Sequence, residues 1–246
     1  MKYFVILFLA ISQIGFAQEQ DDYVWWNNRH NWDGQTSWSR YITMEPGAMG
    51  PNALPVPELR NGQLNAQFTL LVAPEVHFAP GDFTADLFMK INIPIKNLAA
   101  LQIWWVPVEY FETDTIVRDF RKARTKSAQG FAVGDVYIGT LIPLIQNLDN
   151  FPDVLLGINL KTASGNRLQD ARYTDTPGYF FDLSFGKQIY KHEDWSIRLY
   201  GMGGFFVYQT NRDDYFQNDA FMWGGGTDIN FKQWTLIARI TGYMCF

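Results

Sequence analysis

The stretch WWNNRHNWDGQTSWSRY, residues 25–41, carries the side chains of this chain best suited to covalent chemistry. His30 offers a base, Ser37 and Ser39 offer hydroxyl nucleophiles, Asp33 an orienting carboxylate, and Arg40 a cation for developing negative charge. Together they have the residue types of an acyl-transfer site. The interleaved indoles of Trp25, Trp26, Trp32 and Trp38 could instead stack on a sugar ring or supply packing area. Nothing regular positions these groups, because residues 18–64 are rich in Trp, Asn, Pro and Gly and lack periodicity. The plainest reading of 18–64 is a periplasmic segment or plug, held by aromatic packing and polar loop bonding. Sugar stacking and lipid hydrolysis are the alternatives.

The hydrolytic alternative rests on a resemblance. Gly34, Ser37, Trp38, Ser39 and Arg40 echo the active-site stretch of outer-membrane phospholipase A. In that enzyme a His is followed by Asn-Gly and a Ser-Arg-Ser-Trp-Asn-Arg run. Here Asp33 stands before the Gly and the Ser-Trp-Ser-Arg order differs. The resemblance implies a barrel-embedded lipid hydrolase using His30 and Ser37 or Ser39.

A second set of polar candidates is spaced quite differently. Glu75, His77, Asp86, Lys90, Asp135, Lys161, Asp182, Arg198, Asp228, Lys232 and Arg239 each fall on the polar side of a period-two pattern. In ADLFMKINIPI, residues 85–95, Ala85, Leu87, Met89, Ile91, Ile93 and Ile95 share one face, and Asp86, Phe88, Lys90, Asn92 and Pro94 share the other. The same alternation recurs over 66–78, 98–111, 131–145, 153–163, 179–190, 195–209, 219–232 and 234–246. These nine segments, of roughly 11–15 residues, exceed the ~5–6 of soluble strands and suit the ~9–11 of a tilted membrane strand. Aromatic residues recur near their ends, as at Phe78, Phe83, Trp105, Tyr179, Phe181, Trp195, Phe221 and Trp234, where interfacial girdles are expected.

The pattern predicts an all-β chain, a transmembrane antiparallel up-and-down β-barrel over 65–246. Its apolar face would meet lipid and its polar face a lumen. The charges could form a selectivity ladder, or could neutralise one another across a filled interior. Glu75 and His77 share a face, but the chain has 3 histidines, so a hydrated pair rather than a metal site is expected. Lys2, the apolar run Tyr3 to Ile11 and Gly15-Phe16-Ala17 read as a signal peptide over 1–17, cleaved before Gln18. Export to the outer membrane of a Gram-negative cell follows.

Connections at 96–97, 146–152, 191–194 and 232–233 are short, and those at 112–129, 164–178 and 210–218 are long; that at 79–82, Ala-Pro-Gly-Asp, is short although it falls on the long side. Short turns are periplasmic in such barrels, which places the entry to the first strand, and with it the N-terminal segment, in the periplasm. Nine strands leave one edge unpaired, whereas bacterial barrels have even counts. Either a strand lies unseen, with 35–64 as its candidate place, or closing strands are missing and the complete barrel has ten or more.

VGDVYIGTLIPLI, PDVLLGINLKTASGNRL and DTPGYFFDLSFGK resemble the outer-membrane barrels of phenol meta-pathway degradation. Gly134-Asp135 and Lys161-Thr162-Ala163-Ser164-Gly165 carry the match, over residues 130–190. The resemblance implies a channel for small hydrophobic or aromatic solutes.

Composition narrows the rest. A net charge of −5 leaves no basic footprint for nucleic acid, and a lone Cys245 supports neither a disulfide framework nor a cysteine metal site. RDFRKARTK, 118–126, reads as a solvated loop face or a contact for lipid phosphates. RLQDARYTD, 167–175, reads as an ordered loop or a lid. The first functional expectation is therefore a passive small-molecule channel or transporter without cofactor or catalytic residues, in contact with outer-membrane lipid. A non-conducting structural or assembly protein is the second, and the lipid hydrolase the third.

Overall fold

The computed structural model describes residues 23–211 and 217–245. The expected signal peptide, 1–17, and Phe246 lie outside the described residues. A short helix α1 (Val24–Arg29) and a 3-10 turn (Trp38–Tyr41) precede ten strands. These are β1 (Thr69–Ala79), β2 (Asp82–Ile95), β3 (Ala99–Thr113), β4 (Gln129–Ala132), β5 (Tyr137–Ile145), β6 (Asp153–Lys161), β7 (Gly178–Lys191), β8 (Trp195–Gln209), β9 (Gln217–Phe231) and β10 (Trp234–Cys245). A second helix, α2 (Thr115–Phe120), lies between β3 and β4, with the Asp114 side chain accepting from Val117 N as its cap.

All pairings are antiparallel, in the order β1-β2-β3-β5-β6-β7-β8-β9-β10, with β4 also on β3. The sheet curls into a half-barrel whose edges are β1 and β10. Register shifts at Leu87/Met89, Pro143/Ile145 and Gln188/Tyr190 mark irregularities of the bulge type, which sharpen the twist of long strands.

Two expectations change. No strand forms within 35–64, and β4, which pairs β3 beyond β5, adds no position to the nine-strand order. The segment expected as one strand over 131–145 is split, because Val133–Val136 leave the ladder between β4 and β5. Gly134 is closely packed there: a Cβ would stand 3.0 Å from both Val106 Cβ and the Tyr173 hydroxyl, and these side chains would have to give by a few tenths of an ångström.

The N-terminal segment divides in two. It does not stay beside the entry to β1 at the short-turn end. Residues 23–44 sit with the long connections, where the Trp26 Nε1 donates to Lys122 O at 2.9 Å and Thr43 N donates to Arg121 O. The chain then runs down the concave face over residues 49–65 and reaches the short-turn end, where β1 begins. Entry point and starting point lie at opposite ends of the sheet.

The two faces have inverted polarity. On the convex face Leu70, Val72, Phe181, Phe185, Leu199 and Phe205 are each 42–56 % exposed. On the concave face Asp86, Glu109, Lys161, Asp182 and Arg198 are buried. Apolar clusters on that side are small, and two of them include the strap: Leu54 and Leu59 pack with Met202, Phe206 and Met222, and Leu64 packs against Ala100, Leu141 and Leu155.

Candidate functional site in the concave face

Residues 52–64 form a strap tied to the wall from top to bottom. Asn52 Nδ2 donates to Asp86 Oδ2 at 2.8 Å and to Glu109 Oε2 at 3.1 Å. Glu58 accepts from Lys90 Nζ at 2.5 Å, and Arg60 Nη1 donates to Asp182 Oδ2 at 2.8 Å. Lower down, Asn61 O accepts from Arg198 Nε, and Gln63 Nε2 donates to Asp153 Oδ2. Enclosure by the wall raises the pKa of Glu58, but the charges of Arg60 and Lys90 outweigh that, and the carboxyl is held below its ordinary value.

Between the strap and strands β2, β3, β5 and β7 lies a cavity of about 240 Å³. Trp104 and Tyr137 stack on its wall, centroids 5.1 Å apart and planes within 12°, with Phe180 edge-on to Trp104 at 6.3 Å. Lys90 Nζ lies 5.7 Å from the Trp104 ring centroid. The hydroxyl of Tyr137 is buried with no hydrogen-bond partner, which is uncommon for a polar atom inside a protein. The shape suits a flat apolar molecule carrying one polar atom.

Two polar clusters close this cavity. In the first, Lys161 Nζ is 2.6 Å from Asp135 Oδ2, and Gly165 N donates to Asp135 Oδ1 at 2.7 Å. Lys161 also donates to Thr174 Oγ1 and Thr176 O. Gly134-Asp135 and Lys161–Gly165, distant in sequence, are thus one knot. The Val133–Val136 break lets Asp135 meet the lysine. In the second, Arg172 Nε donates to Glu109 Oε1 at 2.8 Å, its Nη2 to Thr84 Oγ1 at 2.7 Å, and the Tyr173 hydroxyl to Glu109 Oε2 at 2.7 Å. Burial and the neighbouring Glu109 charge push the Tyr173 phenol well above its usual pKa, so it remains a donor.

The loop 167–175 takes the ordered of its two expected forms, with Asp170, Ala171, Arg172, Tyr173 and Thr174 buried. Arg167 and Ala171 take left-handed conformations, φ 65° and 54°, and turn Arg172, Tyr173 and Thr174 into the interior. The basic run 118–126 is likewise engaged. Arg124 lies 3.8 Å from the Tyr23 ring and 5.2 Å from that of Trp38, Arg118 lies over Trp25 at 4.4 Å, and Arg121 bonds Met49 O and Asp82.

Most charged residues named from sequence alternation project inward in ion pairs. Arg198 bonds Asp153 at 2.6 Å, and Arg239 reaches the Tyr200 hydroxyl at 2.8 Å, which in turn donates to Asp228 at 2.6 Å. Glu75, His77 and Asp86 come together on β1 and β2. Lys232 differs: it stands exposed in the β9–β10 turn with φ 51°, its ammonium 5.3 Å from the Phe231 ring.

Residues 25–41 pack rather than converge. Asp33 accepts from Gln35 N, Thr36 N and Thr36 Oγ1, which uses it in its own turn. Ser37 and Ser39 bond each other, and the buried His30 Nε2 has no hydrogen-bond partner. Burial lowers the His30 pKa, against the pull of Asp119. Trp26 is fully buried, Trp32 Nε1 donates to Thr36 O, and Trp38 packs on the Ile42–Met44 cluster.

Sequence reasoning missed Glu109, Arg172, Tyr173 and Arg60. Glu109 was hidden by a change of phase: the inward residues of β3 run Ala100, Gln102, Trp104 and Val106, and the irregularity opposite Leu87/Met89 brings Glu109 and Phe111 to that face instead. Arg172 was hidden because its direction depends on loop backbone with no periodic signal. Comparison of the chain with protein-family models, curated proteins and solved structures finds no match.

Proposed function

We propose that this chain forms the wall of an outer-membrane β-barrel, a passive channel or transporter for small apolar or aromatic solutes, with residues 49–64 as a strap through its lumen. The observation that carries it is the inversion of faces. Large apolar side chains cover the convex surface while buried ion pairs fill the concave one, the reverse of a soluble protein. Aromatic pairs stand toward both ends of the strands, Phe78 with Phe83 and Phe205 with Phe221 at one, Trp195 with Phe231 at the other, as an interfacial girdle requires. Among the described residues no helix is long and apolar enough to cross a membrane, so strands would span. In lipid the free edges β1 and β10 need pairing partners. The aromatic cavity supports the solute class, in line with the resemblance at Gly134-Asp135 and Lys161–Gly165.

The test is solute entry into proteoliposomes. Faster swelling in phenol or a small neutral solute than with protein-free vesicles supports a conduit. Impermeability of verified folded, inserted protein rejects it. A second reading has its own support: the inward charges are paired and the strap is packed. These features suit a non-conducting structural or assembly protein.

A further inference from the structure

We propose that Glu75, His77 and Asp86 form a binding site for one first-row divalent metal ion, with Zn²⁺ the best-matched. The β1–β2 pairing sets Glu75 opposite Asp86 and His77 opposite Thr84, so the three side chains leave one face of the hairpin. His77 Nε2 lies 3.0 Å from Asp86 Oδ2 and 3.8 Å from Glu75 Oε2, and one ligand atom from each residue lies within 4.8 Å of the others. Donors on a tetrahedral zinc with bonds of ~2.0–2.1 Å stand roughly 3.3 Å apart, so closure on an ion asks for sub-ångström to ångström shifts.

A second observation is independent of that spacing. Asp86 has a side chain with no solvent exposure, and its Oδ1 is buried without a hydrogen-bond partner. Buried carboxylate oxygens are normally matched, and a cation would match this one. The neighbouring guanidiniums are committed elsewhere: Arg172 to Glu109, Thr84 and Asp82, and Arg121 to Asp82 and Met49 O. Glu75, Asp86 and Glu109 lie abreast on β1, β2 and β3, and only Glu109 has an arginine. Among the described residues His77 is the sole basic side chain paired with Glu75 or Asp86. One imidazole and two carboxylates form a mixed set suited to zinc with an open position, whereas Ca²⁺ and Mg²⁺ favour all-oxygen shells. The site stands whether or not the lumen conducts.

Calorimetric titration of chelator-treated, folded protein in detergent tests it, in a Cys245→Ser background without a histidine tag. A single equivalent of Zn²⁺ should bind and raise the melting temperature. His77→Ala and Glu75→Gln, at partly exposed positions that tolerate substitution, should each weaken binding by about tenfold or more. His192→Ala, at the β7–β8 turn, should leave it unchanged. Absence of binding to the wild type at millimolar zinc, or binding that His77→Ala leaves intact, overturns the assignment. Tighter binding of Ca²⁺ than of Zn²⁺, indifferent to His77, overturns it as well.

Discussion

Arg60 in the strap and Asp182 on β7 are joined by a 2.8 Å ion pair with both side chains at most 9 % exposed. Removing one partner leaves a buried charge uncompensated, at a cost of about 3–5 kcal/mol. Asp182→Ala should therefore destabilise the fold and free the strap, and Arg60→Ala should do the same. Limited proteolysis, with mapping of cuts in 49–64, checks this; unchanged protection in both variants would contradict it.

Gly186 tests the strap from the other side. A Cβ there would overlap the carbonyl oxygen of Asn61, and at Gly62, φ 82°, a Cβ would stand 2.6 Å from Gly186 N. Strap and wall touch backbone to backbone. Gly186→Ala should lift the strap locally and cost about 1–3 kcal/mol. Gly203→Ala, where the nearest atom is 4.0 Å away, should be tolerated. Chemical denaturation of the two variants side by side provides the comparison.

The strand pattern was legible because a face of Ala85, Leu87, Met89, Ile91, Ile93 and Ile95 opposed to Asp86, Lys90 and Asn92 leaves one register and one orientation. Long strands and turns such as Ala79 to Asp82 carried the rest. The break at Val133–Val136 leaves two faint marks in the sequence: the outward apolar residues change parity, from Phe131 and Val133 to Ile138, and Gly134 stands where a Cβ would press on Val106 and Tyr173. The cavity was half legible: Lys90, Asp135 and Lys161 were named, but Trp104 and Tyr137 stack only because β3 and β5 pair them directly. Arg124 falls in a run that reads as a solvated face or a lipid-phosphate contact, because loop charges usually are solvated, and Arg172 in a loop whose order is legible but whose inward direction is not. Here a left-handed Ala171 and a row of indoles draw them in.

Tyr137→Phe separates packing from recognition. Its hydroxyl has no partner, so its removal should be close to neutral for stability. Tyr137→Phe should still weaken binding of a small phenol, read by quenching of tryptophan fluorescence. Trp104→Ala should abolish the quenching. Full affinity in both variants would place the ligand elsewhere.

Glu58 gives a pH dependence of defined sign. Its folded-state pKa lies below the ordinary 4.5, through the opposing charges of Arg60 and Lys90. Its pairing therefore stabilises the strap above that value and is lost as pH falls through the lowered one. About half of its side chain is open to water, so screening keeps the effect small. The melting-temperature gap between wild type and Glu58→Gln should be present at neutral pH and close as pH drops below 4.5. A gap that widens in acid would contradict the assignment.

The most direct measurement is single-channel conductance in planar bilayers of folded wild-type protein and of Arg60→Ala and Gly186→Ala. A lumen occupied by the strap predicts small or rare openings in the wild type and larger or more frequent ones in both variants. Identical traces from all three, or silence in every case from verified inserted protein, would contradict a strap-controlled conduit.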